Sequence, residues 1–327
     1  MTFAKESASA PVEIVYYRLM YKHVVITGGA GFVGSNLVHE MAKRYPDADL
    51  TVVDDFRSGS FKNLEGFKGD VIAGDLAQLE LKHYFGGRKV DLVFHLASIT
   101  DTTDHNQFRQ VHDNVESWRN LLNYFEGRKT RLVYASSAAT YGIAAGVNKV
   151  DQEPKPANIY AFAKVQLDNL ARRWARENPS QMVVGLRYFN VYGPREAHKG
   201  PASSMILQLA QQIRRNQAPR IFKNGEQVRD FVYVKDIVSC TILAARARKS
   251  GIYNAGSGVP RSFNDIVANL NRVLNTQWHT DYIDNPHAHY QPHTEADLTE
   301  TTRALRYTPK FTLEKGIDDY AASGFLA

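Results

Sequence analysis

From residue 23 onward, short apolar runs alternate with stretches whose apolar residues recur every three or four positions. The runs fall at 23–27, 50–54, 70–73, 90–95, 131–135 and 182–187, and the first spacer, 35–44, has the period of an amphipathic helix. Continuous apolar strands separated by helical segments predict a parallel sheet covered on both faces. The fold class is therefore α/β, with a Rossmann-like, doubly wound parallel sheet.

Past Phe189 the rhythm changes, and loops rich in Gly, Pro and Asn, such as 192–195 and 285–287, separate shorter elements. A strand is expected over 230–234 and a helix over 236–248. This predicts an NAD(P)-binding domain over 23–189 plus about 230–257, interleaved with a smaller α/β substrate-binding domain over 190–229 and 258–327. A ligand would lie in the crevice between them. Residues 1–22 form an N-terminal extension; Lys5, Glu6, Glu13 and Arg18 leave it no apolar run of secretory length. No stretch of about 18 apolar residues occurs, so membrane insertion is not expected.

Composition narrows the picture only a little. Of 327 residues, 43% are hydrophobic and 23% charged, which fits a globular protein of about two domains. The single cysteine, Cys240, excludes an internal disulfide framework and fits a reducing, cytoplasmic setting. A formal charge of +6 suits nucleic acid, an anionic surface or a phosphorylated ligand. With no recognition-helix motif or basic arm, nucleic acid is not expected.

Candidate chemistry begins directly after the first strand, at Thr27-Gly28-Gly29-Ala30-Gly31-Phe32-Val33-Gly34. Gly28, Gly31 and Gly34 satisfy G-x-x-G-x-x-G, and Gly29, Gly31 and Gly34 satisfy G-x-G-x-x-G. Between a strand and a helix, such glycines allow a tight turn and close approach to a pyrophosphate at the helix N-terminus. Asp54, at the end of the second strand, is placed to hold an adenosine ribose, which favours NAD. Arg57 and Lys62 follow closely and could neutralise a 2′-phosphate, which favours NADP. These residues alone leave the choice open.

Tyr160 and Lys164 stand four apart and share one face of a helix. A phenol ionises near 10, too high for a base at neutrality, and a neighbouring ammonium favours the phenolate. Ser137, ending the strand run Ala135-Ser136-Ser137, could hydrogen-bond the reacting hydroxyl. Glycine loop, strand-end serine and Y-x-x-x-K in this order are together far more specific than any one of them.

With these features the chain resembles the extended short-chain dehydrogenase/reductase family. Within it, the chain is similar to the ADP-glyceromanno-heptose 6-epimerases over residues 134–142, 187–199, 229–234 and 290–298. The resemblance runs from about residue 23 to the C-terminus and leaves the extension unmatched. It implies inversion of C6″ of ADP-D-glycero-β-D-manno-heptose through a transient ketone, for lipopolysaccharide core synthesis. It also implies NADP, with NAD possible, and a homo-oligomer, a pentamer in that group. Lys199, in His198-Lys199-Gly200, matches a lysine that marks the heptose epimerases and would be a second acid/base opposite Tyr160. Lys164 would tune Tyr160 and anchor the nicotinamide ribose.

By the same resemblance Phe32, Val33, Asp55, Leu96, Ala97, Ser98, Asn114 and Val191 would contact the dinucleotide, with Asp75 near the adenine. Asn190, Gln208, the loop Phe222-Lys223-Asn224-Gly225, Arg229 and Tyr290 would hold the substrate nucleotide and its sugar. Arg229 suits a diphosphate because its fork binds phosphate oxygens bidentately. Sugar-nucleotide 4,6-dehydratases carry an Asp-Glu pair after the serine, where this chain has Ala138 and Ala139 before Thr140, so elimination of water is not expected. A UDP-hexose 4-epimerase, a reductase or a non-catalytic dinucleotide sensor are the rival readings. His287, His289 and His293 lie within seven residues but lack metal-site spacing, and no metal is expected.

Overall fold

The computed structural model describes residues 21–100, 106–143, 146–285 and 292–326. In chain order the first half holds β1 (His23–Thr27), α1 (Phe32–Arg44), β2 (Asp49–Asp54), β3 (Asp70–Ala73), α2 (Leu81–Phe85), β4 (Leu92–His95), α3 (Gln107–Phe125) and β5 (Arg131–Ser137). Then come β6 (Val147–Asn148), α4 (Ile159–Glu177), β7 (Met182–Tyr188), β8 (Asn190–Tyr192), α5 (Met205–Arg214), β9 (Arg220–Phe222), β10 (Val228–Tyr233), α6 (Val234–Ala244) and β11 (Gly251–Ala255). The last segment carries β12 (Pro260–Ser262), α7 (Phe263–Leu274), β13 (Asp281–Ile283), β14 (Glu295–Ala296), α8 (Thr299–Leu305) and α9 (Leu313–Ala322).

Seven strands form one sheet in the order β11-β7-β5-β4-β1-β2-β3, and each neighbouring pair is parallel. The expected strands are all there; the central ones are buried on both faces and need unbroken apolar runs, while β3 is an exposed edge strand. α1 begins at Phe32, three residues before the amphipathic period becomes visible, since the glycine loop enters the helix directly. One face of the sheet carries a core of Val25, Val93, Trp118, Leu121, Leu167 and Trp174. The other face carries Val24, Ile26, Leu37, Val38 and Ile237, where α1 packs on α6. Strand order reverses between β1 and β4, which opens a crevice at their carboxyl ends.

The second half of the chain divides more finely than its rhythm suggests. β11 returns to the large sheet beside β7, while β10 pairs with β8 and β12 in a separate three-stranded sheet. The helix expected over 236–248 runs over Val234–Ala244. Asp230, wholly buried, ties these parts together by accepting from the amides of Ser257, Gly258 and Ala296 and from the Ser257 hydroxyl. The fold has begun by Tyr21, which is buried and donates its hydroxyl to Ala245 O at 2.6 Å. Among the described residues, no helix is long and apolar enough to cross a membrane.

Candidate active site

A cleft of about 1000 Å³ runs along the carboxyl ends of the large sheet. Its floor is the glycine loop. A Cβ at Gly28 would lie 2.5 Å from Ala97 N, and one at Gly34 would lie 2.0 Å from Gly28 O. These two glycines let the loop fold against β4 and α1. At Gly31 the nearest atom to a Cβ is Gly28 O at 3.2 Å, so that position opens onto the cleft. Gly31 is also the N-cap of α1, with no side-chain cap and no acid in the first turn. Unclaimed amides beneath an open glycine form a cradle for a pyrophosphate, and the residues present fit a dinucleotide.

Asp54 is less free than its place at the end of β2 suggests. Its Oδ2 accepts from Ala30 N at 2.8 Å and its Oδ1 from Phe56 N at 2.9 Å, so the buried carboxylate braces the glycine loop. Burial pushes its pKa up, against the pull of those two amides. Asp55, beside it on the wall, is the more accessible acid. Arg57 is shared by three carboxylates: Asp55 at 2.5 Å, Asp113 at 2.7 Å and Asp75 at 3.5 Å. Lys62 is exposed and lies outside the cleft lining. Phe32, Val33, Leu96, Ala97, Ser98, Asn114 and Val191 all line the cleft. Asn114 also shapes its wall, accepting at Oδ1 from Ser98 Oγ and Ile99 N.

At the other end of the cleft stand Ser137, Tyr160, Lys164 and Lys199. Ser137 ends β5, and its Oγ accepts from Ala139 N at 3.1 Å. Tyr160 and Lys164 project from the first turns of α4, whose N-cap Asn158 accepts from Ala161 N. Burial raises the Tyr160 phenol, and a hydrogen bond with Ser137 pulls it back down. Lys164, only 2% exposed, donates to Ala135 O at 2.8 Å and lies 5.8 Å from the Tyr160 ring centre. Burial depresses it to about 8, partly offset by Asp168 one turn along the same helix. Asp168 itself is locked to Arg187 at 2.9 Å and accepts from the Tyr134 hydroxyl at 2.8 Å. The four-residue step from Lys164 to Asp168 was a readable sign of this neighbour.

Lys199 comes from a different part of the chain, a 3₁₀ segment over Ala197–Ala202, and its Nζ lies 5.7 Å from the Phe32 ring centre. Burial lowers its pKa, while Glu196 acts to raise it. Buried Glu196 holds this loop from within, accepting from Gly193 N, Ser204 N and Ser204 Oγ.

Among the described residues, those expected for the substrate nucleotide lie outside the lining of this cleft. Arg229 is buried on β10, with its guanidinium 5.9 Å from the Phe263 ring centre. Phe222 ends β9, Lys223 pairs with Asp284 at 2.9 Å, Asn224 O accepts from Asn264 Nδ2, and Gly225 turns at φ +74°. Asn190 is exposed, with Oδ1 3.5 Å from Thr294 Oγ1. Gln208 spends its amide on Pro201 O and Ser203 O, so it braces the Lys199 loop. Tyr290, His287 and His289 lie outside the described residues, and His293 pairs with Glu295 at 3.0 Å.

The model of the NAD dependent epimerase/dehydratase family matches residues 24–256. The ADP-L-glycero-D-manno-heptose-6-epimerase of Brachyspira hyodysenteriae is 36% identical over 91% of this chain and 96% of its own. The crystal structure of the Helicobacter pylori ADP-L-glycero-D-manno-heptose-6-epimerase superposes with a TM-score of 0.85 at 39% identity, covering 92% of this chain and 96% of that one. A UDP-N-acetylglucosamine 4-epimerase from Methanobrevibacter ruminantium gives the same TM-score at 26% identity, covering 92% and 97%. The chain belongs to the NAD dependent epimerase/dehydratase family, and within it to the heptose-6-epimerase group that the first two relatives represent.

Proposed function

We propose that this protein inverts C6″ of ADP-D-glycero-β-D-manno-heptose, giving the L-glycero epimer through a transient 6″-ketone. The observation that carries this reading is the meeting of two separate acid/base groups in one cleft. Tyr160 comes from α4 with Ser137 and Lys164 beside it, and Lys199 comes from the loop after β8. Epimerisation by oxidation and reduction needs proton transfer at both faces of one carbinol, and one group per face answers that need. A nicotinamide dinucleotide along the glycine loop supplies a reversible acceptor for the C6″ hydride.

The chain's own residues do the rest. Ser137 and Tyr160 hold the C6″ oxygen on one side, and the Lys164 cation favours the phenolate. Lys199, whose ammonium burial disfavours, has a larger share of free amine than an exposed lysine and can take or return the proton on the other side. Arg229, with the 222–225 loop, is the proposed diphosphate and nucleotide holder. NADP is the proposed dinucleotide, with Arg57 as the cation nearest the ribose carboxylates. The proposed setting is the cytoplasm, as a homo-oligomer, supplying lipopolysaccharide core synthesis.

The test is to incubate the pure protein and dinucleotide with ADP-D-glycero-D-manno-heptose and follow the sugar by NMR. Conversion to the epimer with no net change in nicotinamide absorbance is expected. Stoichiometric loss of that absorbance would mean a reductase, and conversion of a UDP-hexose alone would mean a 4-epimerase.

A further inference from the structure

Three pieces of chain meet at Asn63, which is 8% exposed and lies in the 3₁₀ turn Phe61–Leu64 between β2 and β3. Its side-chain amide lies 3.0 Å from Ala30 O in the glycine loop, 3.1 Å from His198 Nδ1 and 3.4 Å from Arg195 O. An NH2 group has two hydrogens, so the two shorter contacts are its bonds. One goes to the floor of the dinucleotide cleft and the other to the residue next to Lys199. Its own carbonyl accepts from His39 Nε2 on α1 at 2.8 Å, which fixes the turn on the helix.

The same loop has a second strut from α1. Asn36 Nδ2 donates to Pro194 O and to Phe32 O, both at 2.9 Å. Glu196 holds the loop to its own neighbours and to Tyr320, whereas Asn36 and Asn63, beside the Lys199–Phe32 contact, tie it to α1 and the glycine loop. The bond from Asn63 requires a lone pair on His198 Nδ1, which the neutral ring offers with its proton on Nε2. Burial and, less strongly, the Lys199 charge favour the neutral ring, against the pull of the Arg195 carbonyl.

We propose that Asn63, seconded by Asn36, is a positioning residue that fixes Lys199 relative to the glycine loop, so that the base on this side of the cleft stands in register with the bound dinucleotide. This rests on the proposed role of Lys199 as second acid/base. A displacement of about 1 Å in such a group can cost about 100-fold in rate.

A double-mutant cycle tests it. Asn63→Ala should lower kcat by about 10- to 100-fold while KM and bound dinucleotide per chain, read after denaturation, stay within about twofold. In a Lys199→Ala background the same change should have no further effect. A loss of equal size in both backgrounds, or no loss in either, overturns the proposal. Should Asn63→Ala fail to fold or shed its dinucleotide, Asn36→Ala goes through the same cycle, and an additive result overturns the proposal equally. A second readout needs no substrate: acylation of Lys199 by an amine-selective reagent, measured by mass spectrometry against exposed Lys249. The ratio should rise several-fold in Asn63→Ala, and an unchanged ratio overturns the proposal. Full turnover in Lys199→Ala alone would instead overturn the reading of Lys199 as a base, even where the acylation ratio still moves.

Discussion

Lys164 is a cation held where water hardly reaches, and its protonation ties stability to activity. Burial depresses it from its ordinary 10.5 to about 8 in the folded chain. A lysine with a depressed folded pKa costs stability at low pH, in full below about 8, and the cost is relieved as pH rises from there toward 10.5. Activity should run the other way, because in the proposed mechanism the cation favours the Tyr160 phenolate. On that role, kcat/KM should show an alkaline limb with an apparent pKa near 8, as Lys164 loses its proton. Lys164→Arg, whose guanidinium stays charged, should lose that limb while turning over more slowly. A wild-type profile flat through about pH 9.5 would contradict this.

Arg57 makes a second prediction at the residue scale. A 2′-phosphate there must compete with Asp55, Asp75 and Asp113 for one guanidinium. The preference for NADP over NAD should therefore be small, within about tenfold, and Arg57→Ala should invert it. Calorimetric titration with each dinucleotide measures both. Such residues also mark how far sequence reaches. Ser137, Tyr160 and Lys164 were legible because their spacing is chemical in itself. Asp54 was legible as a carboxylate at a strand end, but its bond to Ala30 N, which commits an oxygen to the loop, was not. Asn63 gave no sign at all, since its partner His198 is 135 residues away.

Among the elements, the glycine loop is where geometry separates folding from binding. Gly34 sits inside α1 with Gly28 O in the place of a side chain, so Gly34→Ala forces backbone apart. It should destabilise by about 3 kcal/mol in urea unfolding. Gly31 has only Gly28 O at 3.2 Å and an ordinary extended φ of −76°. Gly31→Ala should cost about 1 kcal/mol or less in stability, yet lower dinucleotide affinity at least about tenfold by filling the approach to the helix N-terminus. Equal effects of the two changes on stability would count against this division. The same contrast explains which elements could be read in advance. β1, β2, β4, β5 and β7 are buried on both faces and declare themselves by composition. β6, β9, β13 and β14 are two or three residues long, too short for a period, and only their partners define them.

For the whole molecule, the question is whether a first lobe, around the seven-stranded sheet, and a second, around the β8-β10-β12 sheet with α5, α7 and α9, unfold as two. The core on one face of the large sheet does not stop at the cleft. It runs from Val24, Ile26 and Leu37 through Tyr192 and Val232 to Ile206, Ile266, Leu270 and Ile317 in the second lobe. Asp230 adds a polar knot between β10, the end of β11 and β14. Its removal would orphan the buried Ala296 amide and the half-buried Ser257 and Gly258 donors, and a buried donor left unpaired costs about 1–3 kcal/mol. Continuous packing of this kind predicts one cooperative transition, although chains of this length often show more than one. The three tryptophans supply a direct check. Trp118 and Trp174 belong to the core on the opposite face of the sheet, whereas Trp278 packs against the second lobe's side of the continuous core. With Trp118 and Trp174 changed to Phe, Trp278 fluorescence reports the second lobe alone, and far-UV circular dichroism reports the whole chain. The two denaturation curves should coincide. Dinucleotide at 100 times its Kd should stabilise both by the same ~2.7 kcal/mol, although the cleft proposed for it is lined mostly by the elements around the large sheet, with Val191 and the Lys199 loop. If the Trp278 transition came earlier and ignored the dinucleotide, the second lobe would be a separate folding unit, and the two proposed acid/base groups would be held in register by ligand alone.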